Sequence, residues 1–441
     1  MPGFAFFRAL YPSSRLVLGL AGPLGLYYAS RLQKIYADST STAHRHHQNS
    51  ETRREDYSGM HPANGVRRVD WISWPSTFPS EDVISTRYEH DKSWSFWAIY
   101  DGNVGPQTAW HLDQHLLHNL VGSLSEIYAA AGGSQPEKDV VHDAFKRVFL
   151  ALDDEIVYQS AQRIREKSWA NPKVGVRAEA NEVLGAAYTG SSALVAFYDA
   201  DVRTLHVSGV GRGRVLLGRR RKAQQSVDIV HGSSEDVERT LYEVHDLSPK
   251  HKPSDPAEVA RLTAEHPNET LFTGEPAKYL DWGVTRSFGN GVMKWTRDMQ
   301  DFLWEKCLGE TLRPNMLTPP YFTAAPDTQT IQVESGDFLV LASEGTRYKH
   351  ITKEVMVGLV GAWLDRSEYS RSSFKCTELP VELTKKNDWW YTNEDSNAAY
   401  HLGRNALGGA DLDAFTAQLD MPMSRSRWLR QDLSVIVVFF E

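Results

Sequence analysis

Seven short apolar or alternating runs place the strongest constraint on the fold of this chain. Runs of this length and composition are typical of β-strands. Between some of them, apolar residues recur with helical spacing from Ala109 to Leu124 and from Val141 to Ile156. Because helices and strands are mixed without the regular alternation of a parallel sheet, the sequence predicts an α+β fold with antiparallel sheets. The runs are residues 83–88, 95–100, 192–199, 204–210, 215–218, 338–343 and 434–440.

The composition narrows the class of protein. The chain has 441 residues, of which 41% are hydrophobic and 24% are charged, as in ordinary globular proteins. A formal net charge of −8 without a long basic run provides no electrostatic footprint for nucleic acid, so we exclude that partner class. The two cysteines, Cys307 and Cys376, are too few for a disulfide framework or a thiolate metal site, and they fit a reducing compartment.

The N-terminal region differs from the rest of the chain. Residues 1–37 contain serines and basic residues but no acid, a composition typical of mitochondrial targeting segments; the basic residues are Arg8, Arg15, Arg31 and Lys34. The apolar run 16–29 is short for a bilayer span and contains Gly and Pro. Four interpretations of this region remain open: a cleaved presequence, an inner-membrane anchor, a secretory signal, or a disordered tail without a targeting function. Residues 38–65 are polar and predict a linker, and 66–441 a single domain.

Acidic residues stand at the ends of four of the predicted strands. Asp101 follows the run 95–100, Glu344 follows 338–343, Asp432 precedes 434–440, and Glu81 with Asp82 opens 83–88. A buried carboxylate is costly unless it is paired, hydrogen-bonded or bound to a metal. Oxygen ligands of this kind suit Mg²⁺ or Mn²⁺ rather than Zn²⁺. The pattern predicts a cation site; the alternative is that each acid caps a turn or helix at the rim of a sheet.

Eight motifs in register resemble the metal-dependent protein phosphatase 2C family, and within it the mitochondrial pyruvate dehydrogenase phosphatase branch. The resemblance implies two packed antiparallel β-sheets flanked by helices, an α-β-β-α sandwich. The motifs are PSTFPSED (75–82), YDGNVG (100–105), TGSSALVAFY, SGVGRGRVLLG, LSPKHKPSDPAEVARLTAEHP, GVTRSFGNGVMKW, DFLVLASEG and QDLSVIVVFF.

The resemblance also implies a chemistry. Two divalent ions, Mg²⁺ or Mn²⁺, activate a bridging water that attacks the phosphorus of a phosphoserine or phosphothreonine. Carried over by position, Asp101 bridges both ions, and Asp82 orients the water. The remaining metal positions are Glu81 and the Gly102 carbonyl for one ion, and Glu344 and Asp432 for the other.

Several positions depart from the family pattern. Glu344 stands in place of an Asp, and Asn103 in place of a His that protonates the leaving oxygen, a loss typically worth roughly 10²- to 10⁴-fold in rate. Arg212 and Tyr348 stand at positions that concern a third, weaker ion, so that ion is predicted to be lost. The Arg212 guanidinium would repel a metal, yet it suits phosphate.

Two functions remain open from the sequence. The first is a mitochondrial, metal-dependent Ser/Thr protein phosphatase, in the matrix or on the inner membrane, with pyruvate dehydrogenase E1 as a candidate substrate. The second is a pseudophosphatase that binds a partner without turnover. Retention of Asp101, Glu81 and Asp432 favours the enzyme, whereas Asn103, Arg212 and Tyr348 together favour the pseudoenzyme. The polar segment 367–409 predicts a surface insertion and a candidate partner-recognition site.

Overall fold

Two six-stranded antiparallel sheets form the centre of the molecule in a computed structural model. The first sheet has the spatial order β1 (Glu55–Met60), β2 (Val66–Trp74), β16 (Leu433–Phe440), β13 (Phe338–Ala342), β7 (Arg214–Arg220) and β8 (Tyr242–Asp246). The second has the order β12 (Asp327–Gln332), β6 (Thr204–Val210), β5 (Gly190–Asp199), β4 (Trp94–Asn103) and β3 (Asp82–Glu89), with β11 (Phe288–Gly289) paired to β5. The structure describes residues 54–60, 64–171, 175–221, 241–274, 278–280, 282–311, 313, 315–348, 350–369, 385–386, 389–421, 425–426 and 429–441.

Helices cover the outer faces of the sheets, and two small hairpins accompany them. The helices are α1 (Gln107–Ala130), α2 (Lys138–Asp154), α3 (Ser160–Ala170), α4 (Arg177–Val183), α5 (Gly185–Tyr188), α6 (Pro256–Glu265), α7 (Arg297–Cys307), α8 (Lys353–Tyr369), α9 (Ala398–Leu407) and α10 (Leu412–Leu419). One π-helical turn, Glu155–Gln159, joins α2 to α3. The hairpins are β9 (Phe272–Thr273) with β10 (Lys278–Tyr279), and β14 (Lys385–Lys386) with β15 (Trp389–Trp390).

Strand β4 shows how the sequence specifies these layers. Its side chains alternate between two hydrophobic clusters: Phe96 and Tyr100 pack with helices α1 and α2, whereas Trp97 and Ile99 pack with residues of the first sheet. Because a strand alternates its side chains between its two faces, a strand covered on both sides must be apolar throughout. The continuous run at 95–100 therefore reflects a central position between a helical layer and a second sheet.

The observed layers confirm the predicted fold class. One cluster joins the two sheets face to face, and a further cluster on the outer face of each sheet joins it to its helices. All seven predicted strands are present, as β3, β4, β5, β6, β7, β13 and β16. In the described part of the chain, no helix is both long enough and apolar enough to cross a membrane. The targeting segment 1–37 and its apolar run 16–29 lie outside the described residues.

Two segments differ from their predictions. Strand β1, which pairs with β2, lies within the range 38–65 that the composition predicts to be a linker. Helix α9 lies within the predicted surface insertion 367–409, yet Leu402 and Ala406 belong to the core cluster beneath the first sheet. The prediction of a surface insertion is therefore wrong for α9, because polar side chains such as Asn405 are buried there and hydrogen-bonded to the backbone of Thr392.

Candidate active site

The acidic residues predicted at strand ends meet where the two sheets come together. Asp82 at the start of β3 lies directly opposite Asp101 near the end of β4. The Oδ2 atom of Asp101 accepts a hydrogen bond from the backbone amide of Glu344, which follows β13 of the first sheet, at 2.9 Å. The Asp101 carboxylate therefore connects the second sheet to the first.

Asp432, immediately before β16, organises the loop between β2 and β3. Its Oδ1 atom accepts hydrogen bonds from the amide and the hydroxyl of Ser76, the latter at 2.6 Å. Its Oδ2 atom accepts from the amide of Glu81 at 2.6 Å, the hydroxyl of Ser80 at 3.1 Å and the amide of Asp82 at 3.3 Å. A carboxylate that accepts from three consecutive residues of a loop fixes their backbone, so Asp432 positions Glu81 and Asp82.

Four carboxylates, those of Asp82, Asp101, Glu344 and Asp432, lie close enough to affect one another's pKa values. Burial raises the pKa of Asp101 to about 7, with a further rise from the charges of Glu344 and Asp432 and a partial offset from the Glu344 amide. Burial also holds the pKa of Asp82 well above its usual range, and the negative charges of Asp101 and Asp432 add to the effect. Like charges in a desolvated space repel, and a cation would relieve the repulsion.

Glu344 is held by two arginines. Arg212 Nη2 lies 2.6 Å from Glu344 Oε1, and Arg347 Nε lies 3.2 Å from Glu344 Oε2. Arg347 also donates from Nη2 to the carbonyl of Gly213 at 2.8 Å, which fixes its side chain. Burial raises the pKa of Glu344, and the positive charges of Arg212 and Arg347 oppose that rise.

Gly102 allows the loop after Asp101 to approach the acidic loop closely. A Cβ atom at this position would lie 2.5 Å from the backbone oxygen of Glu81, closer than real Cβ atoms come. The Gly102 amide donates to the same oxygen at 3.1 Å. A side chain here would separate Glu81 from Asp101, so the glycine is needed for the site to form.

The residues after Gly102 present an exposed, strained turn. Val104 has a φ of 65° and a side chain that is 63% exposed. A β-branched residue in the left-handed region is an outlier that costs roughly 1–2 kcal/mol. Phe78, on the loop held by Asp432, is also exposed. The site is therefore bordered by apolar side chains that face solvent.

Unpartnered oxygens provide the test of whether a hard cation fits. Asp82 Oδ2 and Asn103 Oδ1 are buried and have no hydrogen-bond partner among the described residues, whereas Glu344 Oε2, which also lacks a hydrogen bond there, is ion-paired with Arg347 Nε at 3.2 Å. Carboxylate and carbonyl oxygens are the ligands that Mg²⁺ and Mn²⁺ prefer. Across the described ranges, however, no three or more Asp, Glu, His or Cys side chains converge as a ready-made ligand group. The residues around Asp101 fit a cation in chemical type, while Glu344 and Asp432 are already engaged by cations and hydrogen-bond donors of the chain.

A basic groove adjoins Glu344. It has a volume of about 650 Å³ and is lined by more cationic than acidic residues. The cationic residues are Arg214, Lys250, Lys252, Arg347 and Lys353, and the acidic residues are Asp246, Asp255 and Glu354. Burial lowers the pKa of Lys252, and the positive charges of Arg347 and Arg212 lower it further. Burial, with the charge of Arg347, likewise lowers the pKa of Arg214 to about 10. Cations that depress one another's pKa values create a positive potential beside the carboxylates.

The sequence predicts most of these positions but misses three contacts. Asp82, Asp101, Gly102, Asn103 and Arg212 lie around one site with Glu81, Glu344 and Asp432, as the motifs predict. Reasoning from the sequence missed Arg347, although its spacing of three residues from Glu344 is a signal for an ion pair. It also missed Ser76 and Ser80, whose partner Asp432 is more than 350 positions away.

Comparison with known proteins identifies the family. A family model described as "Protein phosphatase 2C" matches residues 76–380. The chain belongs to the protein phosphatase 2C family. A protein phosphatase 2C homologue from Schizosaccharomyces pombe is 28% identical over 390 residues, which cover 86% of this chain and 81% of the homologue.

Mitochondrial pyruvate dehydrogenase phosphatases are also similar. Phosphatase 1 from Saccharomyces cerevisiae is 26% identical, over 88% of this chain and 71% of the relative. Phosphatase 1 from Bos taurus is 30% identical, over 58% of this chain and 49% of its own length, so the match spans about half of that protein. The resemblance to the family and to this branch is confirmed.

The fold agrees with a solved member of the same family. The crystal structure of a serine-threonine phosphatase 2C from Toxoplasma gondii superimposes with a TM-score of 0.51. The superposition covers 88% of this chain and 99% of that one, at 13% identity. At this identity the likeness shows the shared fold alone.

Proposed function

We propose that this protein is a metal-dependent protein serine/threonine phosphatase of mitochondria. The observation that carries the proposal is the arrangement of Asp82 opposite Asp101, with Asp101 hydrogen-bonded to the amide of Glu344 from the other sheet. The proposal is supported by the buried Oδ2 atom of Asp82, which has no hydrogen-bond partner among the described residues and lies on the residue directly opposite Asp101.

Asp101, Glu81 and the Gly102 carbonyl are the groups proposed to hold Mg²⁺ or Mn²⁺. When bound, such an ion lowers the pKa of a water molecule towards neutrality and so supplies a nucleophile. Asp82 is proposed to accept a hydrogen bond from the attacking water, and its Oδ2 atom, which has no hydrogen-bond partner in the described structure, supports this role. Asp432 holds Glu81 and Asp82 in position through their amides.

Arg212 is proposed to bind the phosphate. Its side chain is one-third exposed, and its planar guanidinium donates in the fork geometry that phosphate oxygens accept. The attack forms a bond from water oxygen to phosphorus and breaks the bond to the Ser or Thr oxygen. Asn103 has no proton to release, so the leaving oxygen takes its proton from solvent, which predicts slow turnover.

The substrate is proposed to be a phosphoprotein, with pyruvate dehydrogenase E1 as a candidate because two of the similar proteins are named for that activity. Their names and the basic, acid-free composition of residues 1–37 support a mitochondrial location. Association with the inner membrane through residues 16–29 stays a prediction, as do the boundaries of the targeting segment, the linker and the domain.

The first experiment measures hydrolysis by the full chain. A phosphothreonine peptide and p-nitrophenyl phosphate are offered with Mn²⁺, Mg²⁺ or a chelator, and the wild type is compared with Asp101→Asn. Asp91→Asn is the matched control, because Asp91 lies in the exposed turn at the other end of the same β3–β4 hairpin. Turnover that requires metal and is lost only in Asp101→Asn supports the proposal. A folded wild type without turnover under any metal would favour the pseudophosphatase alternative.

A further inference from the structure

The family pattern assigns Glu344 and Asp432 to one of its two ions. In this chain the Glu344 carboxylate is ion-paired with arginines, and the Asp432 carboxylate accepts hydrogen bonds. Each Glu344 oxygen faces its own guanidinium, Arg212 at 2.6 Å and Arg347 at 3.2 Å. Arginine stays protonated in proteins, so these two side chains bring two permanent positive charges to one carboxylate.

The carboxylate of Asp432 is occupied by hydrogen bonds rather than by ion pairs. In the described structure its oxygens accept from five donors, which are the amides of Ser76, Glu81 and Asp82 and the hydroxyls of Ser76 and Ser80. A carboxylate offers about four lone-pair sites. A metal at Asp432 would therefore have to displace hydrogen bonds that hold the loop carrying Glu81 and Asp82.

Asp101 and Asp82 present the opposite situation. Asp101 uses Oδ2 for the Glu344 amide, and within the described residues Asp82 Oδ2 has no partner. Among the cationic neighbours, Arg212 acts on Asp101 only through its charge. The negative charge that lacks compensation therefore lies on the Asp101 side of the site.

We infer that this chain binds one divalent cation, on the Asp101 side, and that Arg212 and Arg347 take the place of the second ion. This inference rests on the proposed function for its metal dependence. Two guanidinium groups supply the same charge as one divalent ion, and they occupy the carboxylate that the family uses to hold that ion. The Arg212 side chain is still one-third exposed, so its guanidinium can also donate to a phosphate oxygen that approaches from solvent.

The test counts bound Mn²⁺ on the purified full chain by equilibrium dialysis, with electron paramagnetic resonance as a second readout. The expected result is one Mn²⁺ per chain with the spectrum of an isolated ion. Two ions of comparable affinity, or a spin-coupled spectrum, would overturn the inference while leaving the proposed function intact. Absence of Mn²⁺ binding would overturn both.

Variants locate the ion. Asp101→Asn is expected to abolish Mn²⁺ binding, whereas Glu344→Gln is expected to change the dissociation constant by less than about threefold and to keep the count at one, because Glu344 binds arginine rather than metal. Loss of an ion in Glu344→Gln would contradict the inference. Should either variant fail to fold, the count on the wild type decides alone.

A double variant tests the arginines directly. Arg212→Gln with Arg347→Gln frees the Glu344 carboxylate and is expected to raise the count from one to two. Lys252→Gln is the matched control: it removes a positive charge that acts on Glu344 without an ion pair to it, and its expected count is one. A double variant that still binds one ion, or a control that binds two, would show that contact with the arginines is not what excludes the second ion.

Discussion

Asp82 and Asp101 lie directly opposite each other on neighbouring strands; both are acidic, and Asp82 is buried while Asp101 is partly buried. Like charges in this relationship normally destabilise a sheet. Asp432 accepts a hydrogen bond from the amide of Asp82 and adds a third negative charge to the same space. The fold therefore carries an unfavourable charge cluster, which the Glu344 amide and the Arg212 charge offset in part and which a bound cation or protonation would relieve.

The first prediction concerns pH. The pKa of Asp101 is about 7 in the folded protein against an ordinary 3.8, so between these values the folded state binds more protons than the unfolded state. The free energy of unfolding of the metal-free protein should therefore fall as pH rises from about 4 to about 7, by several kcal/mol at most, since one pKa unit corresponds to about 1.4 kcal/mol. Thermal unfolding of wild type and Asp101→Asn with chelator measures the effect; it should shrink in the variant and with saturating Mn²⁺. Equal pH dependence in both proteins would contradict the prediction.

The second prediction restores a proton donor. Asn103→His should raise kcat, within the range of roughly 10²- to 10⁴-fold that general acid catalysis supplies, and should introduce a basic limb in the pH–rate profile. Asn103→Gln, which changes size but still cannot donate a proton to the leaving oxygen, is the control. A histidine variant with the same rate and pH profile as the control would show that protonation of the leaving oxygen does not limit turnover.

The third prediction separates charge from geometry at Arg212. Removing a hydrogen bond to a charged group costs about 1.5–3 kcal/mol, so Arg212→Gln should lower kcat/KM by roughly 10- to 100-fold for a phosphothreonine peptide. Arg212→Lys should recover only part of the loss, because an ammonium group lacks the planar fork. Full activity in Arg212→Gln would exclude a role in phosphate binding.

The fourth prediction uses the strained turn beside the site. Val104→Gly should raise the free energy of unfolding by about 1 kcal/mol, because glycine adopts a positive φ without steric cost and little apolar area is lost at an exposed position. Val140→Gly, an equally conservative change at an exposed position of α2, should lower it by a similar amount. Denaturant unfolding of both variants provides the comparison, and effects of the same sign would refute the role of strain.

The fifth prediction concerns a buried ion pair away from the site. Lys294 Nζ lies 2.7 Å from both carboxylate oxygens of Asp153 and 2.8 Å from the carbonyl of Ser287. Lys294→Met leaves Asp153 buried without its cation and should destabilise the protein by about 3–5 kcal/mol. The double variant Asp153→Leu with Lys294→Met should be the more stable of the two. A double variant no more stable than Lys294→Met would contradict this account.

The sequence predicts the strands that form continuous apolar or alternating runs and misses strands in which charged residues interrupt that pattern. Strand β2 contains Arg68 and Asp70 among its apolar residues, which obscures the pattern. Asp70 is nevertheless buried, because Arg68 and the amide of Ala398 donate to its carboxylate. Arg68 is a near neighbour in the sequence, but the Ala398 amide lies 328 positions from Asp70, and local composition does not reveal this second partner.

The site follows the same rule. Asp101, Glu344 and Asp432 are predictable because an acid next to an apolar run is visible locally. What each carboxylate contacts is not: Asp432 meets Ser76 and Ser80 only after β2 and β16 pair, and Glu344 meets Arg212 only after β7 and β13 pair. The local sequence therefore identifies the carboxylates of the site, and the pairing of distant strands determines which side chains each carboxylate contacts.

Strand β16 lies between β2 and β13 in its sheet and begins one residue after Asp432. It is also the last described strand to leave the ribosome. Until it emerges, the first sheet has a gap at its centre and the loop carrying Glu81 lacks its anchor. A nascent chain with every other described strand in place would therefore remain inert, and deletion of β16 together with Asp432 would be as damaging as the loss of a catalytic carboxylate.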